Sequence, residues 1–352
     1  MRKISLKERV KINRNLRKVG IEKTREFTVK EITYMAYYIT NALINTFPIL
    51  EEKYNDILAQ MLHCKMYYAK VPSNLPIANY IYEEDGIYFD ERFEPSNIDD
   101  LVIHECIHYL QVDRKSNQKA KQMGLCEFKE FSILGLGINE AAVSYISSKI
   151  KNNKIETIKR YGINLPTVSP KYYPMITNLI EQIIYLLGED LLIKATINCN
   201  PEFKDEFLNT FEENAIKIVK NFDQMLNKYN KTLEAKEEKG TELKKEMAKL
   251  YLETQQLIYI TYFNKICNRV TKLEEVYYYM EKFLQYKDFM GIEEENLYHT
   301  NHEYEIYKDV IMEKFEKKII RFNLYKNKNA IAIIYHNKLK RLLKKIISYF
   351  YG

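Results

Sequence analysis

The chain has 352 residues, 46% of them hydrophobic and 29% charged, enough to form the core of one large domain or two ordinary ones. Ten glycines and eight prolines are few for this length, which favours long helices and excludes collagen-like or loop-rich architectures. Five widely spaced cysteines without a Cys-x-x-Cys pair, no secretory leader pattern and no long apolar run predict a soluble cytoplasmic protein with reduced thiols and no transmembrane segment.

Charge is concentrated at the two ends of the chain. The basic N-terminal segment, residues 1–27, sums to +7 and residues 317–345 sum to +10, so the body between them carries −11 within a total of +6. Basic ends can contact nucleic acid or an anionic membrane surface. No nucleic-acid-binding motif accompanies them, so we expect them to pack on the acidic body or to stay solvated.

The first predicted elements mix helices and strands. Residues 1–27 show an irregular or loosely helical pattern. Thr28 and Glu31 form a capping-box pattern that opens a helix to about Thr46, and a second helix is predicted from about Leu50 to Leu62. Strand patterns follow at 64–71, 78–82 and 87–90.

His104 and His108 lie on a segment that predicts a helix from about residue 96 to Val112, with Ser96 or Asn97 as its N-cap. Side chains four residues apart on a helix point to one side, about 40° apart around the axis. Two imidazoles so placed can bind one zinc ion, and the carboxylate of Glu105 between them can act on a water molecule there.

The next segments supply a third candidate ligand. Residues 113–123 predict an exposed loop, 127–134 a strand, and 137–150 a second helix that contains Glu140. A catalytic zinc ion usually has three protein ligands and one open position, and Glu140 is the best third candidate. Other acids that could replace it are Asp113, Glu127 and Glu130.

These two segments together resemble the gluzincin zinc metallopeptidases, in which His-Glu-x-x-His is followed by a helix containing Asn-Glu. The resemblance covers about residues 78–150. It implies one zinc ion bound by His104, His108 and Glu140. It further implies hydrolysis of a peptide or protein substrate by a zinc-activated water, with Glu105 as the general base.

Two features depart from that group. The gap of 32 residues between His108 and Glu140 is longer than in its compact members. The thermolysin-like members have an Asp four residues after the ligand Glu, which orients a zinc-bound His, and this chain has Ser144 there. The partner that orients the imidazole is therefore expected from elsewhere, or from the Ser144 hydroxyl itself.

Asp85–Gly86 is a strong hairpin signal between strands 78–82 and 87–90. In the resembled group an edge strand beside the zinc binds the substrate backbone by strand addition, and either strand could be that edge. A further donor to the reacting oxygen is also expected. The candidates are Tyr145, Tyr172, Tyr173, His299 and His302.

Only helical patterns follow Pro166. They lie at 173–187, 189–197, 201–229, 241–268, 270–288, 303–322 and 329–350, with a charged hairpin tip near Gly240. The predicted fold is therefore α+β and mostly helical. A zincin-like catalytic domain with a small sheet and an active-site helix is expected over 1–165, and an all-helical domain over 166–352.

Two other functions stay open. Ser144 in place of the Asp gives weight to a catalytically inactive zincin-like module that binds a protein partner. The basic ends leave room for an anion- or nucleic-acid-binding protein.

Overall fold

The structure is a computed structural model that describes residues 16, 18–112, 122–129, 132–291 and 306–325. It is mostly helical with a small sheet, as the α+β prediction requires. The predicted helix at 329–350 and most of the basic N-terminal segment lie outside the described residues.

A four-stranded sheet stands at the start of the fold, in the order β1-β2-β4-β3. Its strands are β1 (Glu22–Glu26), β2 (Lys65–Lys70), β3 (Ala78–Ile81) and β4 (Gly86–Asp90). β2 and β4 are parallel, and the outer strands pair antiparallel with them. Of the two strands left open as the edge beside the site, β3 is the edge strand and β4 lies inside the sheet.

The expectation of an irregular or loosely helical segment over 1–27 is wrong for 22–26, which form β1, whereas residues 16, 18 and 19 are helical. All five residues of β1 are exposed and mostly charged, so no alternation of apolar and polar side chains marks the strand. Its backbone pairs with β2, from Glu22 opposite Lys70 to Glu26 opposite Tyr67.

Helix α1 (Val29–Thr46) confirms the predicted capping box. The backbone N–H of Thr28 donates to Glu31 Oε2 at 2.7 Å, and the N–H of Glu31 donates to Thr28 Oγ1 at 3.3 Å. The second helix begins later than predicted, since a 3₁₀ segment at Pro48–Lys53 precedes α2 (Tyr54–Leu62).

The connection between β3 and β4 is longer than a two-residue hairpin. A 3₁₀ turn at Tyr82–Glu84 precedes Asp85, which has a φ of 50°. Helix α3 (Asp100–Leu110) follows, and Asp99 caps it by accepting the N–H of Val102 at 2.9 Å. The expectation of Ser96 or Asn97 as the cap is therefore wrong, because the helix begins at Asp100 and its cap lies two to three residues later than expected.

Three short strands connect α3 to the next helix: β5 (Gln122–Met123), β6 (Cys126–Lys129) and β7 (Ser132–Leu134). β6 and β7 pair antiparallel, so the single strand predicted over 127–134 is a hairpin. Helix α4 (Leu136–Ile150) packs against α3. A second hairpin, β8 (Glu156–Arg160) and β9 (Ile163–Thr167), turns at Tyr161 and Gly162, both with positive φ.

Helices make up the described chain beyond β9. They are α5 (Pro174–Leu187), α6 (Glu189–Asn198), α7 (Glu202–Phe211), α8 (Glu213–Glu234), α9 (Glu237–Arg269), α10 (Leu273–Gln285), α11 (Lys287–Met290) and α12 (306–325). The single helix predicted over 201–229 is broken at Glu212, where φ is 49°. The predicted hairpin tip lies at 235–236, and Gly240 is inside α9.

The chain divides into two compact units at a place other than the expected 165/166 boundary. One unit runs to Ile258 and includes Phe289–Gly291, and the other holds Tyr259–Asp288 and the later residues. The first unit therefore contains the sheet together with α5 to α8. These helices belong to the same compact unit as the sheet because α5 and α8 both pack on α4.

Candidate metal centre

Two helices bring three predicted ligand residues together. His104 and His108 lie one turn apart on α3, and Glu140 lies in the second turn of α4. The two imidazole Nε2 atoms are 3.0 Å apart. Glu140 Oε2 lies 3.2 Å from His104 Nε2, and Oε1 lies 3.3 Å from His108 Nε2. Both imidazoles are at least nine-tenths buried, so this group could hold a metal ion away from bulk solvent.

Hydrogen bonds alone cannot satisfy these three contacts between the two histidines and Glu140. His108 Nδ1 lies 3.1 Å from Gln111 Oε1, an acceptor, so Nδ1 carries a proton and a neutral His108 presents its Nε2 lone pair to Glu140. With Glu140 ionised, the two Nε2 atoms carry at most two protons, so at least one of the three contacts joins two lone pairs or two N–H groups rather than a donor and an acceptor. A cation bound between the two imidazole nitrogens and the Glu140 carboxylate stabilises all of these groups at once.

Burial and charge act against each other in this cluster. Burial opposes protonation of His108, but the facing Glu140 carboxylate outweighs it and raises the pKa of His108 to about 9. Burial likewise opposes ionisation of Glu140, and the two histidines outweigh it, so the pKa of Glu140 lies well below its usual range. Both shifts reflect a preference for positive charge between the carboxylate and the imidazoles.

Gln111 and Asn139 orient His108. The Gln111 amide donates to Asn139 Oδ1 at 3.0 Å, and the Asn139 amide donates back to Gln111 Oε1 at 3.1 Å. Asn139 Oδ1 also accepts the backbone N–H of Leu125 at 3.0 Å. The residue before the candidate ligand Glu140 therefore locks the amide that orients His108, the kind of support that metal-binding histidines require.

The partner expected from elsewhere is thus Gln111, three residues after His108. The Ser144 hydroxyl is buried and has no hydrogen-bond partner among the described residues, so it does not fill that role. Gly124 packs directly against the side-chain amides of Asn139 and Gln111. A Cβ at this position would lie 2.5 Å from Asn139 Oδ1 and 2.6 Å from Gln111 Nε2, so a larger residue would displace the pair. Gln111 ends α3 and has no distinctive motif around it, so the sequence alone did not identify it.

Glu105 is held by the edge strand. Its Oε2 accepts the backbone N–H of Tyr80 in β3 at 2.7 Å. Burial raises the pKa of Glu105, while the nearby histidines and the Tyr80 N–H act in the opposite direction. A carboxylate with a raised pKa beside a candidate metal-binding cluster is suited to accept and return a proton. Cys106, next in the chain, is fully buried and packs in the core.

The N-terminus of α4 depends on a residue far along the chain. Asp223 in α8 accepts the backbone N–H groups of Gly135 at 2.9 Å and Gly137 at 2.7 Å. A Cβ on Gly137 would lie 2.3 Å from the Phe222 carbonyl, so only glycine allows the two helices to approach this closely. These contacts set the position of the first turns of α4, and therefore of Glu140.

The other candidate residues lie apart from the cluster or outside the described chain. Glu127 forms an ion pair with Lys204. Tyr145 donates to Glu189 Oε1 at 2.5 Å, and Tyr172 interacts with Asp99 and Asp100. Asp113, Glu130, His299 and His302 lie outside the described residues.

Tyr173 is the candidate donor that lies near the cluster. Burial raises its pKa first, and the carboxylates of Glu140 and Glu105 raise it further, so the phenol lies within electrostatic reach of both. Tyr173 has a φ of 48°, a left-handed conformation that costs about 1–2 kcal/mol for a residue with a side chain. Such strain is found most often at functional sites.

Comparisons of this chain with protein-family models, with curated proteins and with solved structures found no match. Within the described residues, none of the helices combines the length and apolar character needed to cross a bilayer. The functional argument therefore depends on the residues of the cluster themselves.

Proposed function

We propose that this chain is a zinc-dependent metallopeptidase of the gluzincin type, with one zinc ion bound by His104, His108 and Glu140. The observation that carries the proposal is the close approach of their ligand atoms. The Nε2 atoms of the two histidines lie 3.0 Å apart, and the two carboxylate oxygens of Glu140 lie 3.2 Å from His104 Nε2 and 3.3 Å from His108 Nε2. Ligands roughly 2.0–2.1 Å from a tetrahedral zinc ion lie about 3.3 Å from one another. The side chains therefore need only small shifts to bind the ion.

The ligand set favours zinc over harder cations. Two imidazoles and one carboxylate are typical of catalytic zinc sites, whereas magnesium and calcium prefer oxygen ligands. Three protein ligands leave a fourth position for a water molecule. When bound, zinc lowers the pKa of such a water and polarises a substrate carbonyl.

Glu105 is the general base in this proposal. Its Oε2 is occupied by the Tyr80 N–H, which leaves Oε1 to accept the proton of the attacking water and later to deliver it to the leaving amine. The strand contact holds the carboxylate in place, so the proton acceptor is positioned before the substrate arrives.

The substrate class follows from the edge strand. Among the described strands β3 pairs with β4 alone, and it packs against α3, so an extended peptide added along its other side would run past Glu105. Tyr173 is the candidate to donate a hydrogen bond to the carbonyl oxygen as negative charge develops on it, since its phenol is within electrostatic reach of Glu105 and Glu140.

We place this activity in the cytoplasm. All five cysteines are free thiols, four of them buried, which suits a reducing compartment.

The test combines metal content with hydrolysis of a mixed peptide library. The purified chain is expected to bind one zinc ion and to cleave peptides, and a chelator should abolish cleavage. Glu105→Gln should keep the metal and lose at least 100-fold in kcat, because the base is removed and the ligands are not. His104→Ala and Glu140→Ala should lose the metal.

Two surface variants serve as matched controls. His63→Ala and Glu202→Gln change exposed residues of the same types outside the cluster and should keep both metal and activity. Full activity of Glu105→Gln would remove the base assignment. Metal binding without cleavage of any peptide would favour the inactive protein-binding module.

A further inference from the structure

Helix α12 has two faces of different character. One face packs within the second compact unit, where Ile311 and Phe315 are buried and Lys314 donates to Asn264 Oδ1 of α9. The opposite face is exposed and mostly aliphatic, and its six positions, called the α12 stripe below, are Ile306, Val310, Glu313, Lys317, Ile320 and Leu324. The four aliphatic residues are 43–59% exposed. Single exposed aliphatic residues are common, but several on one face mark an interaction surface.

The α12 stripe has the spacing of a surface that packs on another helix. Its successive positions are separated by 4, 3, 4, 3 and 4 residues, the alternation by which one side of a helix keeps facing a partner helix. At 100° per residue, all six positions fall within about 40° of a common direction. The stripe therefore forms one continuous seam along the helix.

The α12 stripe is also complementary to itself. Its positions are symmetric about residue 315, in the pairs Ile306 with Leu324, Val310 with Ile320, and Glu313 with Lys317. A second copy packed antiparallel, about a two-fold axis at the centre of the helix, would place aliphatic side chains against aliphatic ones and carboxylates against ammonium groups. Surfaces that complement themselves under such a rotation are those of two-fold symmetric dimers.

The two charged residues of the stripe favour the antiparallel arrangement. Glu313 and Lys317 are both exposed, and Lys317 Nζ lies 2.5 Å from Glu313 Oε1 within the helix. In an antiparallel pair, the two copies contribute four charges that alternate in sign around the axis. A parallel pair would bring each of these residues against its own copy, so that like charges meet. Polar residues at the centre of a two-helix seam specify orientation at a cost in stability.

Charges beside the stripe act in the opposite direction, but more weakly. An antiparallel pair brings Glu316 near its own copy, whereas a parallel pair would bring it near Arg321. Both residues are exposed at the edge of the seam, where ion pairs contribute little. The central charges therefore decide the orientation.

We propose that the α12 stripe binds the same stripe of a second copy of this chain, with the two helices antiparallel and related by a two-fold axis near residue 315. The seam is about 30 Å long at 1.5 Å per residue. A contact of this length lies at the small end of interface sizes, so we expect reversible dimers with a Kd of about 10–100 μM. The inference does not rest on the proposed peptidase function, because α12 belongs to the second compact unit and the candidate ligands belong to the first.

Sedimentation equilibrium of the full chain, at concentrations from about 1 to 200 μM, measures this association. Glu313→Lys and Lys317→Glu should each raise the Kd about tenfold or more, because each places two pairs of like charges at the centre of the seam. An equimolar mixture of the two variants should restore association, since their charges are then complementary. Lys249→Glu reverses one charge of another exposed ion pair, that of Lys249 with Glu253 on α9, and should leave the Kd unchanged.

The aliphatic part of the stripe has its own variant. Ile320→Asp should abolish association in the same concentration range, because it places a carboxylate in the apolar part of the seam. Ile216→Asp, at a similarly exposed position of α8, should not. Both positions are exposed, so we expect both variants to fold, and circular dichroism checks this.

Cysteine cross-linking determines the orientation. Ile306→Cys and Leu324→Cys are oxidised separately and as an equal mixture, and the wild type treated in the same way gives the background from its five free thiols. Cross-linked dimers above that background are expected only in the mixture, since antiparallel packing brings position 306 of one copy beside position 324 of the other. Cross-linked dimers of either variant alone would indicate parallel helices and refute the proposed arrangement.

Three other outcomes overturn the proposal. One is association that the substitutions at 313, 317 and 320 leave unchanged. In a second, the chain stays monomeric and co-sediments with vesicles that contain phosphatidylserine, and Ile320→Asp abolishes this, which would assign the stripe to an anionic membrane surface. In the third, the chain stays monomeric and a thiol reagent labels Ile320→Cys much more slowly than Ile216→Cys, which would assign the stripe to a contact within its own chain.

Discussion

The backbone N–H of Tyr80 donates a 2.7 Å hydrogen bond to Oε2 of Glu105, which ties the edge strand β3 to the helix that carries the two histidines. This N–H points away from β4, so it takes no part in the sheet. One main-chain donor thus positions the candidate general base and marks the strand along which we expect the substrate to bind.

Tyr80→Pro tests this relationship, because proline deletes the donor and is tolerated on an edge strand where the N–H faces away from the sheet. Compared with Tyr80→Ala, which removes the ring but keeps the N–H, we expect kcat to fall about tenfold with KM little changed, since a hydrogen bond to a charged group contributes roughly 1.5–3 kcal/mol. Steady-state kinetics on one peptide checks this. Equal kcat values for the two variants would show that the N–H does not position Glu105.

Gln111→Ala should weaken zinc binding about 10- to 100-fold, because His108 loses the acceptor that selects its tautomer. Ser144→Ala is the matched control, since it changes a buried polar residue on α4 whose hydroxyl has no partner among the described residues. Competition with a zinc chelator of known affinity measures both. If Ser144→Ala lost zinc affinity and Gln111→Ala did not, Ser144 rather than Gln111 would be the residue that orients the histidine.

Gly137→Ala should destabilise the fold by about 3 kcal/mol, since the new Cβ would lie 2.3 Å from the backbone of Phe222 and force α4 away from α8. Gly240→Ala offers the contrast. It also lies within a helix, with nothing within 4 Å of an added Cβ, and should stabilise by about 0.5 kcal/mol. Urea unfolding midpoints compare the two variants, and similar values would contradict the close approach of the helices.

Asp223→Asn should cost about 1–3 kcal/mol and lower zinc affinity, because an amide can accept only one of the two N–H groups that the carboxylate holds at the start of α4. Asp205→Asn, in the first turn of α7 and exposed, should cost much less. Unfolding and zinc titration are measured on both proteins. Unchanged zinc affinity in Asp223→Asn would show that the contacts of Asp223 at the start of α4 do not determine the position of Glu140.

Glu181 predicts a pH-dependent loss of stability. Burial raises its pKa to about 8, against the opposing bonds from the Val168 N–H and the Thr167 hydroxyl. A carboxyl whose folded pKa is raised stabilises the fold below its unfolded pKa of 4.5, and that contribution is lost as the pH rises from 4.5 towards 8.

The variant Glu181→Gln keeps an oxygen acceptor and removes the ionisation. Its stability relative to the wild type should therefore increase by about 3.5 kcal/mol between pH 5 and pH 8. Both proteins carry the same cluster of candidate ligands, so metal binding cancels in the difference. Denaturant unfolding at the two pH values measures this, and a constant difference would show that Glu181 does not titrate in this range.

Several features could be predicted because they depend on neighbours in the sequence. The Thr28–Glu31 capping box, the helix around His104 and His108, and the helix around Glu140 are local, and the structure has each of them. Strand β1 could not be predicted in this way. Its residues are all exposed, and only pairing with β2 makes them a strand.

The expected boundary at 165/166 and the limits of the compact units differ for a related reason. A change from mixed to helical patterns near residue 166 marks a change in secondary structure, but compact units are set by packing. Helices α5 and α8 pack on α4 and so join the unit that contains the sheet.

The sequence alone determined the types of candidate ligand and the spacing of two of them, because helix geometry places residues 104 and 108 on one side of α3 at any position of that helix. Tertiary structure decided the rest. Packing of α4 on α3 brings Glu140 within 3.3 Å of both imidazoles. The turn after α3 places Gln111 against His108. Strand β3 contacts Glu105 through a main-chain N–H, which no sequence pattern marks. Contacts between residues far apart in the chain arise from packing, so they cannot be predicted from a local sequence pattern.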